Sequence, residues 1–338
     1  MNKDIVKFLL KTKLNKLQQT DNYKTNTIQF TNDYKTNVDY LTHLIQKCYK
    51  ITIQDGKIIA ISITAYDNYD SLLDMILNLT YYFKNYKIII LLSLKDNLNI
   101  NIKFEHVIIN NILPYAHSIW GNIELFHQHF LAYQYCIKND IMFDYFTMCT
   151  SNQLYFRIIT DDILRDATLS IQNKPIREQM SDSDYDKYLD EFEKQDNKWD
   201  WHNIVLTDPH FYNFMKKNKY QYRGMGHEGL IFDNITSKYI FDIYNDNDFI
   251  NKCTVRNFTM EEMLPIILLD NNYNIEKIYN KSLCERSFSY DGKIAKYSLD
   301  EIQNIASHTN NYCSLKPVPR DILDKYRTKI RNEIILHI

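Results

Sequence analysis

A pair of adjacent carboxylates is the first feature of the sequence that is suited to catalysis. Glu261 and Glu262 follow closely after Thr259, and a carboxylate within hydrogen-bond reach of a hydroxyl is a common general base. The same spacing also fits the start of a helix, with Thr259 as the N-cap and Glu262 completing a capping box. The segment alone therefore supports both a catalytic and a structural interpretation.

A second segment carries fixed positive charge. Lys316 and Arg320 lie on a stretch that prolines stiffen, and Arg327 and Arg331 follow on a predicted helix. Two or more fixed cations can stabilise the charge of a diphosphate in place of a metal ion. A solvated basic face is the alternative interpretation of the same residues.

Pairs of carboxylates suited to a divalent cation form a third group. Two carboxylates can bridge Mn²⁺ or Mg²⁺ to a diphosphate, and the Asp-x-Asp spacing occurs at Asp182/Asp184, Asp184/Asp186 and Asp246/Asp248. All of these pairs lie in polar stretches rather than directly after a buried strand, where α/β sheets bind ligands. His127 and His129 lie two positions apart on a predicted helix and therefore point in different directions. We expect no metal site.

The elements that must position these groups form an α/β pattern. Residues 58–64 and 87–92 are apolar, β-branched runs typical of buried parallel strands. A helical pattern with Asp70 as its cap lies between them and completes a βαβ unit. The alternation continues with a strand at 106–109, a helix at 122–137 and a strand at 143–148. Neither of the glycine-rich fingerprints of dinucleotide dehydrogenases and P-loop NTPases occurs, which argues against both classes.

The chain divides into an extension and one larger domain. Residues 1–57 are predicted to form an N-terminal helical extension, and residues 58–338 the α/β domain. Within that domain, residues 174–203 are acidic and polar, which predicts a surface excursion, either a solvated helix or a mobile segment. The remaining predicted elements are a strand at 229–232, a helix at 260–269 and a C-terminal helix from Arg320.

The charge and composition of the chain argue against several classes of protein. The formal net charge is −2, from 40 basic and 42 acidic side chains, so the positive excess of a nucleic-acid-binding protein is missing. No stretch reaches the ~18 apolar residues of a membrane span. The cysteines include no Cys-x-x-Cys pair, which predicts reduced core residues. We expect a soluble, cytoplasmic protein. The abundance of Asn, Ile and Lys is typical of an AT-rich genome, and if that genome is viral, we expect the protein in the host cytoplasm or the virion.

Seven segments then follow one another in a recognisable order. They are Ile58–Thr64 with Ala65 and Tyr66; residues 87–92 with Ser93, Lys95 and Asp96; Ser118–Gly121 around Trp120; residues 144–156 with Ser151, Asn152 and Gln153; His227–Phe232; Thr259–Leu268; and Tyr312–Arg320. This order resembles the core-2/I-branching N-acetylglucosaminyltransferases and peptide xylosyltransferases, and shorter bacterial and viral transferases of that type. In the family's Gly-Gln-Asp-Phe-Pro segment, this chain has Asn152 for the Gly and Leu154 for the Asp, and it keeps Gln153.

The resemblance implies a GT-A-like, Rossmann-type nucleotide-sugar-binding fold with a mixed central sheet flanked by helices. It implies an inverting transfer of GlcNAc or xylose from a UDP-sugar to a hydroxyl of a glycan or glycoprotein, with no metal and no cofactor. Glu262 would be the base, with Glu261 beside it and Glu228 as the next candidate, and Lys316 and Arg320 would hold the diphosphate. The donor pocket would comprise Thr64, Ala65, Tyr66, Ser93, Lys95, Asp96, Ser151, Asn152 and Gln153, and the acceptor would meet Trp120, Trp201 and His227.

Two alternatives stay open from the sequence. One is a metal-dependent GT-A transferase that uses an Asp-x-Asp pair. The other is a catalytically inactive relative that binds sugars or has a structural role, which the altered residues beside Gln153 would suit. The sequence also leaves open whether the protein forms a homo-oligomer.

Overall fold

A computed structural model describes residues 48, 56–65, 69–94, 106–114, 122–171, 180–194, 207–222, 226–256, 264–267, 282–286, 301, 312–316, 318 and 327. The strands are β1 (Ile58–Ala65), β2 (Lys87–Leu94), β3 (Val107–Pro114), β4 (Tyr145–Thr150), β5 (Leu154–Tyr155), β6 (Thr168–Leu169), β7 (Ile231–Asp233), β8 (Cys284–Arg286) and β9 (Ser314–Lys316). The helices are α1 (Tyr69–Tyr82), α2 (Ile123–Lys138), α3 (Asp161–Ala167), α4 (Asp182–Glu193), α5 (Pro209–Asn218), α6 (Asn234–Asp246) and α7 (Phe249–Lys252).

The main sheet has six strands in the order β3-β2-β1-β4-β7-β6. Strands β1 to β4 are mutually parallel, whereas β7 runs antiparallel to β4. The two central strands, β1 and β2, consist largely of buried Ile, Leu and Ala residues, as expected for strands that are covered on both faces. The predicted α/β class, with a mixed central sheet flanked by helices, is therefore confirmed, and so is the βαβ unit.

Helices cover the two faces of this sheet. Ile59, Ile61 and Ile63 of β1 pack on one face in a cluster that includes the apolar side of α1. Ala60 faces the opposite way and joins a second cluster, which α2 and α6 cover. Because the crossover helices α1 and α2 lie on opposite faces, the chain reverses its winding between β1 and β4. Ligands of open α/β sheets bind at such a switch point, outside the carboxyl ends of the strands.

A small second sheet lies beyond the carboxyl end of β4. Its strand order is β5-β9-β8, with β5 antiparallel and β8 parallel to β9. The turn before β7 packs tightly against it, because Gly229 has φ +78° and a Cβ there would overlap the backbone nitrogen of Cys284. The Leu283 N–H donates to the Gly229 carbonyl oxygen at 2.9 Å. The glycine therefore permits the contact between the two sheets.

The acidic stretch contains a helix that contributes to the core. In α4, Ser181 is the N-cap and its Oγ accepts from the Asp184 N–H at 3.1 Å. Tyr185, Leu189 and Phe192 recur at helical spacing and pack into the cluster beneath α2. The acidic side chains of α4 occupy its exposed side, so this segment is both a solvated acidic surface and part of the packing.

Arg327 corrects one expectation from the sequence. A solvated basic face was one of the two interpretations of the segment that carries it, but its side chain is fully buried. Its Nε donates to Asp74 Oδ2 on α1 at 2.9 Å, and Nη2 donates to the same oxygen. A buried guanidinium must be paired in this way because its desolvation would otherwise be prohibitive. The pair ties Arg327 to α1.

The cysteines behave as predicted for reduced core residues. Cys48, Cys136, Cys149, Cys253, Cys284 and Cys313 are all free and buried. Burial raises the pKa of the Cys48, Cys136, Cys149 and Cys313 thiols to about 12, so they stay protonated and unreactive. None of the described helices combines the length and the apolar character that crossing a bilayer requires.

We predict that Arg327→Met lowers the free energy of unfolding by roughly 3–5 kcal/mol, because it leaves Asp74 buried without its cation. Lys238→Met is the matched control, since it removes the cation of the exposed Lys238–Asp242 pair and should cost about 1 kcal/mol or less. Urea denaturation of both variants measures the difference. Equal losses in the two variants would contradict the buried pairing.

Candidate functional site

Polar residues replace apolar ones where the central strands approach their carboxyl ends. Along one face of β1, Ala60 is followed by Ser62 and Thr64. Thr64 is the register partner of Ser93 on β2 and of Thr150 on β4. Ser93 is fully buried, and its Oγ has no hydrogen-bond partner among the described residues. A band of hydroxyl groups therefore lines the carboxyl edge of the sheet at the switch point.

A buried ion pair lies at the same edge. The Lys316 Nζ, at the end of β9, donates to Oε1 of Glu228, which precedes β7. The two residues are 88 positions apart in the chain. The Glu228 side chain has no solvent exposure, and that of Lys316 keeps 13%. The ammonium is thus held at the border between the protein interior and solvent.

The register of β7 explains why Glu228 reaches this edge. Ile231 pairs with Thr147 in an antiparallel ladder, so the residues just before β7 lie beside the carboxyl half of β4. The Thr147 hydroxyl donates to the Leu230 carbonyl oxygen at 2.7 Å, and the Ser282 hydroxyl donates to the Glu228 carbonyl oxygen at 3.2 Å. The backbone that carries Glu228 is therefore fixed on two sides.

Two histidines extend the polar cluster toward β1. His227 Nε2 lies 3.6 Å from Glu228 Oε1, and the His227 ring centroid is 5.8 Å from that of His129 on α2. His129 Nδ1 forms a 2.7 Å hydrogen bond with Ser62 Oγ. Burial, and secondarily the nearby His227, holds the pKa of His129 well below its usual range. His129 is therefore a neutral imidazole at physiological pH.

The segment after β4 joins this edge to the strand that carries Lys316. Gln153 Nε2 donates to Ser314 Oγ at 2.9 Å, and the Val318 N–H donates to the Asn152 carbonyl oxygen at 2.8 Å. The Asn152 side chain accepts from the Thr150 hydroxyl at 2.8 Å. These contacts hold Ser314 at the start of β9 and Val318 just beyond its end against the segment that follows β4, which restricts the position from which the Lys316 side chain extends.

The described part of the predicted donor and acceptor sets lies at this edge. It comprises Thr64, Ala65, Ser93, Ser151, Asn152, Gln153, His227, Glu228 and Lys316. Ala65 differs from the others because its side chain packs into the cluster on the opposite face, which leaves only its backbone on the ligand side. Tyr66, Lys95, Asp96, Trp120, Trp201, Glu261, Glu262 and Arg320 lie outside the described residues.

Four of the carboxylates in the Asp-x-Asp pairs already have partners in the structure. On α4, Asp182 lies 2.9 Å from Lys219 Nζ, and Asp186 lies 3.3 Å from Lys216 Nζ. Asp184 accepts from the Ser181 hydroxyl at 2.5 Å. Asp248 has φ +52° and accepts from Asn251 Nδ2 at 2.7 Å. Over the ranges that the structure describes, no three His, Cys, Asp or Glu residues are grouped so as to hold a metal ion.

Sequence reasoning overlooked Ser62 and His129 as members of the site. His129 was considered only together with His127 as a possible metal pair, and its partner differs from that of His127, whose Nδ1 forms a 3.2 Å hydrogen bond with Tyr244 Oη. The sequence around each of these two residues contained a feature that could have indicated a buried polar pair. Ser62 is a polar residue within an apolar strand, and His129 lies on the apolar side of α2 beside Phe126 and Phe130. A buried polar residue needs a partner, and here each provides one for the other.

The arrangement is chemically suited to binding an anionic group. It offers an ammonium that Glu228 holds in place and hydroxyl groups on β1, β2 and β4, at the edge where α/β sheets bind ligands. No protein-family model matches the chain, and no curated protein matches it by sequence. The site geometry and the motif resemblance are therefore the support for a function.

We predict that Lys316→Met lowers the free energy of unfolding by about 3 kcal/mol, because Glu228 loses its charge partner in a buried position. The double variant Glu228→Gln/Lys316→Met should recover most of that loss, since no isolated charge then remains. A thermal or urea double-mutant cycle measures this coupling. Additive losses in the double variant would show that the two side chains do not stabilise each other.

Proposed function

We propose that the protein is an inverting, metal-independent glycosyltransferase that transfers GlcNAc or xylose from a UDP-sugar to a hydroxyl of a glycan or glycoprotein. The observation that carries the proposal is the Lys316 ammonium, held by Glu228 at the carboxyl edge of the sheet beside the β1/β4 switch point. A fixed cation at this place suits the phosphates of a nucleotide donor. The mixed α/β sheet is compatible with the GT-A-like fold that the resemblance implies.

The residues would divide the reaction between them. Glu262 takes the proton of the acceptor hydroxyl as that oxygen attacks the anomeric carbon, on the face opposite the departing nucleotide. Lys316 and Arg320 stabilise the negative charge that develops on the leaving diphosphate. The bond to the acceptor oxygen forms as the bond to the diphosphate oxygen breaks, so the anomeric configuration inverts. The role of Glu262 rests on the motif resemblance alone.

The metal-dependent alternative receives no support from the carboxylate pairs. Asp182 and Asp184 lie two positions apart on a helix, so their side chains diverge. Asp182 is also paired with Lys219, and Asp246 and Asp248 lie at the end of α6 and just before α7.

The free, buried cysteines fit a reducing compartment, and a cytoplasmic location remains part of the proposal.

We predict that UDP-GlcNAc or UDP-xylose raises the melting temperature of the protein and that EDTA leaves the rise unchanged. A ligand at 100 times its Kd adds about 2.7 kcal/mol to stability by mass action, which corresponds to several degrees. GDP-mannose and CMP-sialic acid are the control donors. A rise that requires Mn²⁺ would favour the metal-dependent alternative, and no rise with any UDP-sugar would contradict the proposal.

We predict that Glu262→Gln reduces kcat for sugar transfer by at least about 10³-fold, because the acceptor proton loses its base. The Kd for the UDP-sugar should change less than about threefold, since the amide preserves the size of the side chain. Glu191→Gln, which changes an exposed carboxylate on α4, is the matched control and should retain the wild-type activity. Normal turnover by Glu262→Gln would remove it as the base, and Glu228 would be the next residue to test.

A further inference from the structure

The Glu228–Lys316 pair combines a rigid carboxylate with a flexible cation. Glu228 is fully buried, and the turn that carries it is bonded to Ser282 and packs through Gly229 against β8. A lysine side chain has four rotatable methylene groups and loses rotamer entropy when it is immobilised on a ligand. A partner fixed in the interior removes much of that freedom before any ligand arrives.

The same pair also controls the protonation of Lys316. Removal from water favours the neutral amine, whereas an adjacent carboxylate favours the ammonium. Described titratable groups close to the Lys316 ammonium are Glu228 and His227 on the turn before β7 and the buried thiol of Cys149 on β4. The Cys149 thiol is neutral because burial raises its pKa to about 12. The Glu228 carboxylate therefore favours the charged form of this partly buried lysine.

We infer that Glu228 is a positioning residue that acts through Lys316 and holds it as a preorganised ammonium for the diphosphate of the nucleotide. This inference rests on the proposed function, because the ligand class comes from it. Glu228 itself does not touch the donor. It fixes the direction of the lysine side chain and maintains its positive charge. The Lys316 side chain therefore loses its rotamer entropy during folding rather than when the nucleotide binds.

The distinguishing test is the pH dependence of UDP binding, measured by calorimetry in EDTA between pH 7 and pH 9.5. Wild-type affinity should stay constant within about twofold, since Glu228 keeps Lys316 protonated throughout. In Glu228→Gln the lysine pKa falls, so UDP binding should weaken at least tenfold as the pH rises across this range. Lys316→Met should bind weakly at every pH, and Glu228→Gln/Lys316→Met should bind no more weakly, because Glu228 acts through Lys316.

Asp242→Asn is the matched control, because it removes the carboxylate of an exposed ion pair with Lys238 and should behave as wild type. If Glu228→Gln keeps the wild-type pH profile and affinity, the inference is overturned while the proposed function stands. If the double variant binds UDP more weakly than Lys316→Met, Glu228 acts independently of Lys316 and the inference is also overturned. If wild-type protein binds no UDP, the proposed function and the donor role of the pair fail together.

A second measurement tests the positioning without any nucleotide. Acetylation of Lys316 by an N-hydroxysuccinimide ester at pH 8, followed by mass spectrometry, reports the fraction of neutral, accessible amine. Glu228→Gln should label at least tenfold faster at Lys316 than wild type, with unchanged rates at the exposed Lys238. Equal labelling in the two proteins would show that Glu228 neither restrains nor charges Lys316. This result is independent of whether the protein is a glycosyltransferase.

Discussion

A carboxylate that loses all contact with water must find a cation, and Glu228 imposes this requirement at the meeting point of the two sheets. Its partner, Lys316, comes from β9 in the small sheet, whereas Glu228 enters from the turn before β7 in the large one. The ion pair can form only if β9 lies against the carboxyl end of β4. Gly229 permits that approach, and Gln153 and Asn152 hold it. The Glu228–Lys316 pair therefore determines both how the two sheets lie against each other and where the charged groups of the candidate site are placed.

The central strands could be predicted because their signal is local. The β-branched runs at 58–64 and 87–92 became β1 and β2 with similar bounds, since strands buried on both faces are apolar over most of their length. Helix α1 begins at Tyr69 rather than after Asp70, and β7 begins at Ile231 because Gly229 is occupied by a turn. Such boundary shifts arise where caps and turns compete with the periodic pattern.

The pairing of the later strands could not be predicted, because it depends on contacts between distant parts of the chain. Nothing local marks β7 as antiparallel to β4, or β9 as the strand that joins β5 and β8.

Helix α5 was missed although Asp208 followed by Pro209 is a recognisable N-cap signal, and Asp208 Oδ1 does accept from the Phe211 N–H at 2.8 Å. The apolar side of α4 was hidden by the acidic residues between Tyr185, Leu189 and Phe192.

In the candidate site, too, the sequence indicated which residues matter, but the contacts between distant residues could be seen only in the fold. Lys316 and Glu228 were singled out for their residue types and their place in the motif order, but their direct contact could be seen only in the fold. Arg327 carries the same type of charge as Lys316, and the sequence left a diphosphate-binding and a solvated role open for the segment that holds both. Arg327 is instead buried against Asp74, because burial depends on the packing partner rather than on the charge. Ser62 and His129 joined the site for a similar reason, since each satisfies the other in the interior.

The most direct test of the account is a crystal structure of the protein with UDP, grown in EDTA. The diphosphate should lie outside the carboxyl ends of β1 and β4, with a phosphate oxygen within hydrogen-bond distance of Lys316 Nζ and with Glu228 still paired to that lysine. A nucleotide bound elsewhere, or one held through a metal ion on an Asp-x-Asp pair when crystals are grown with Mn²⁺ instead, would contradict it.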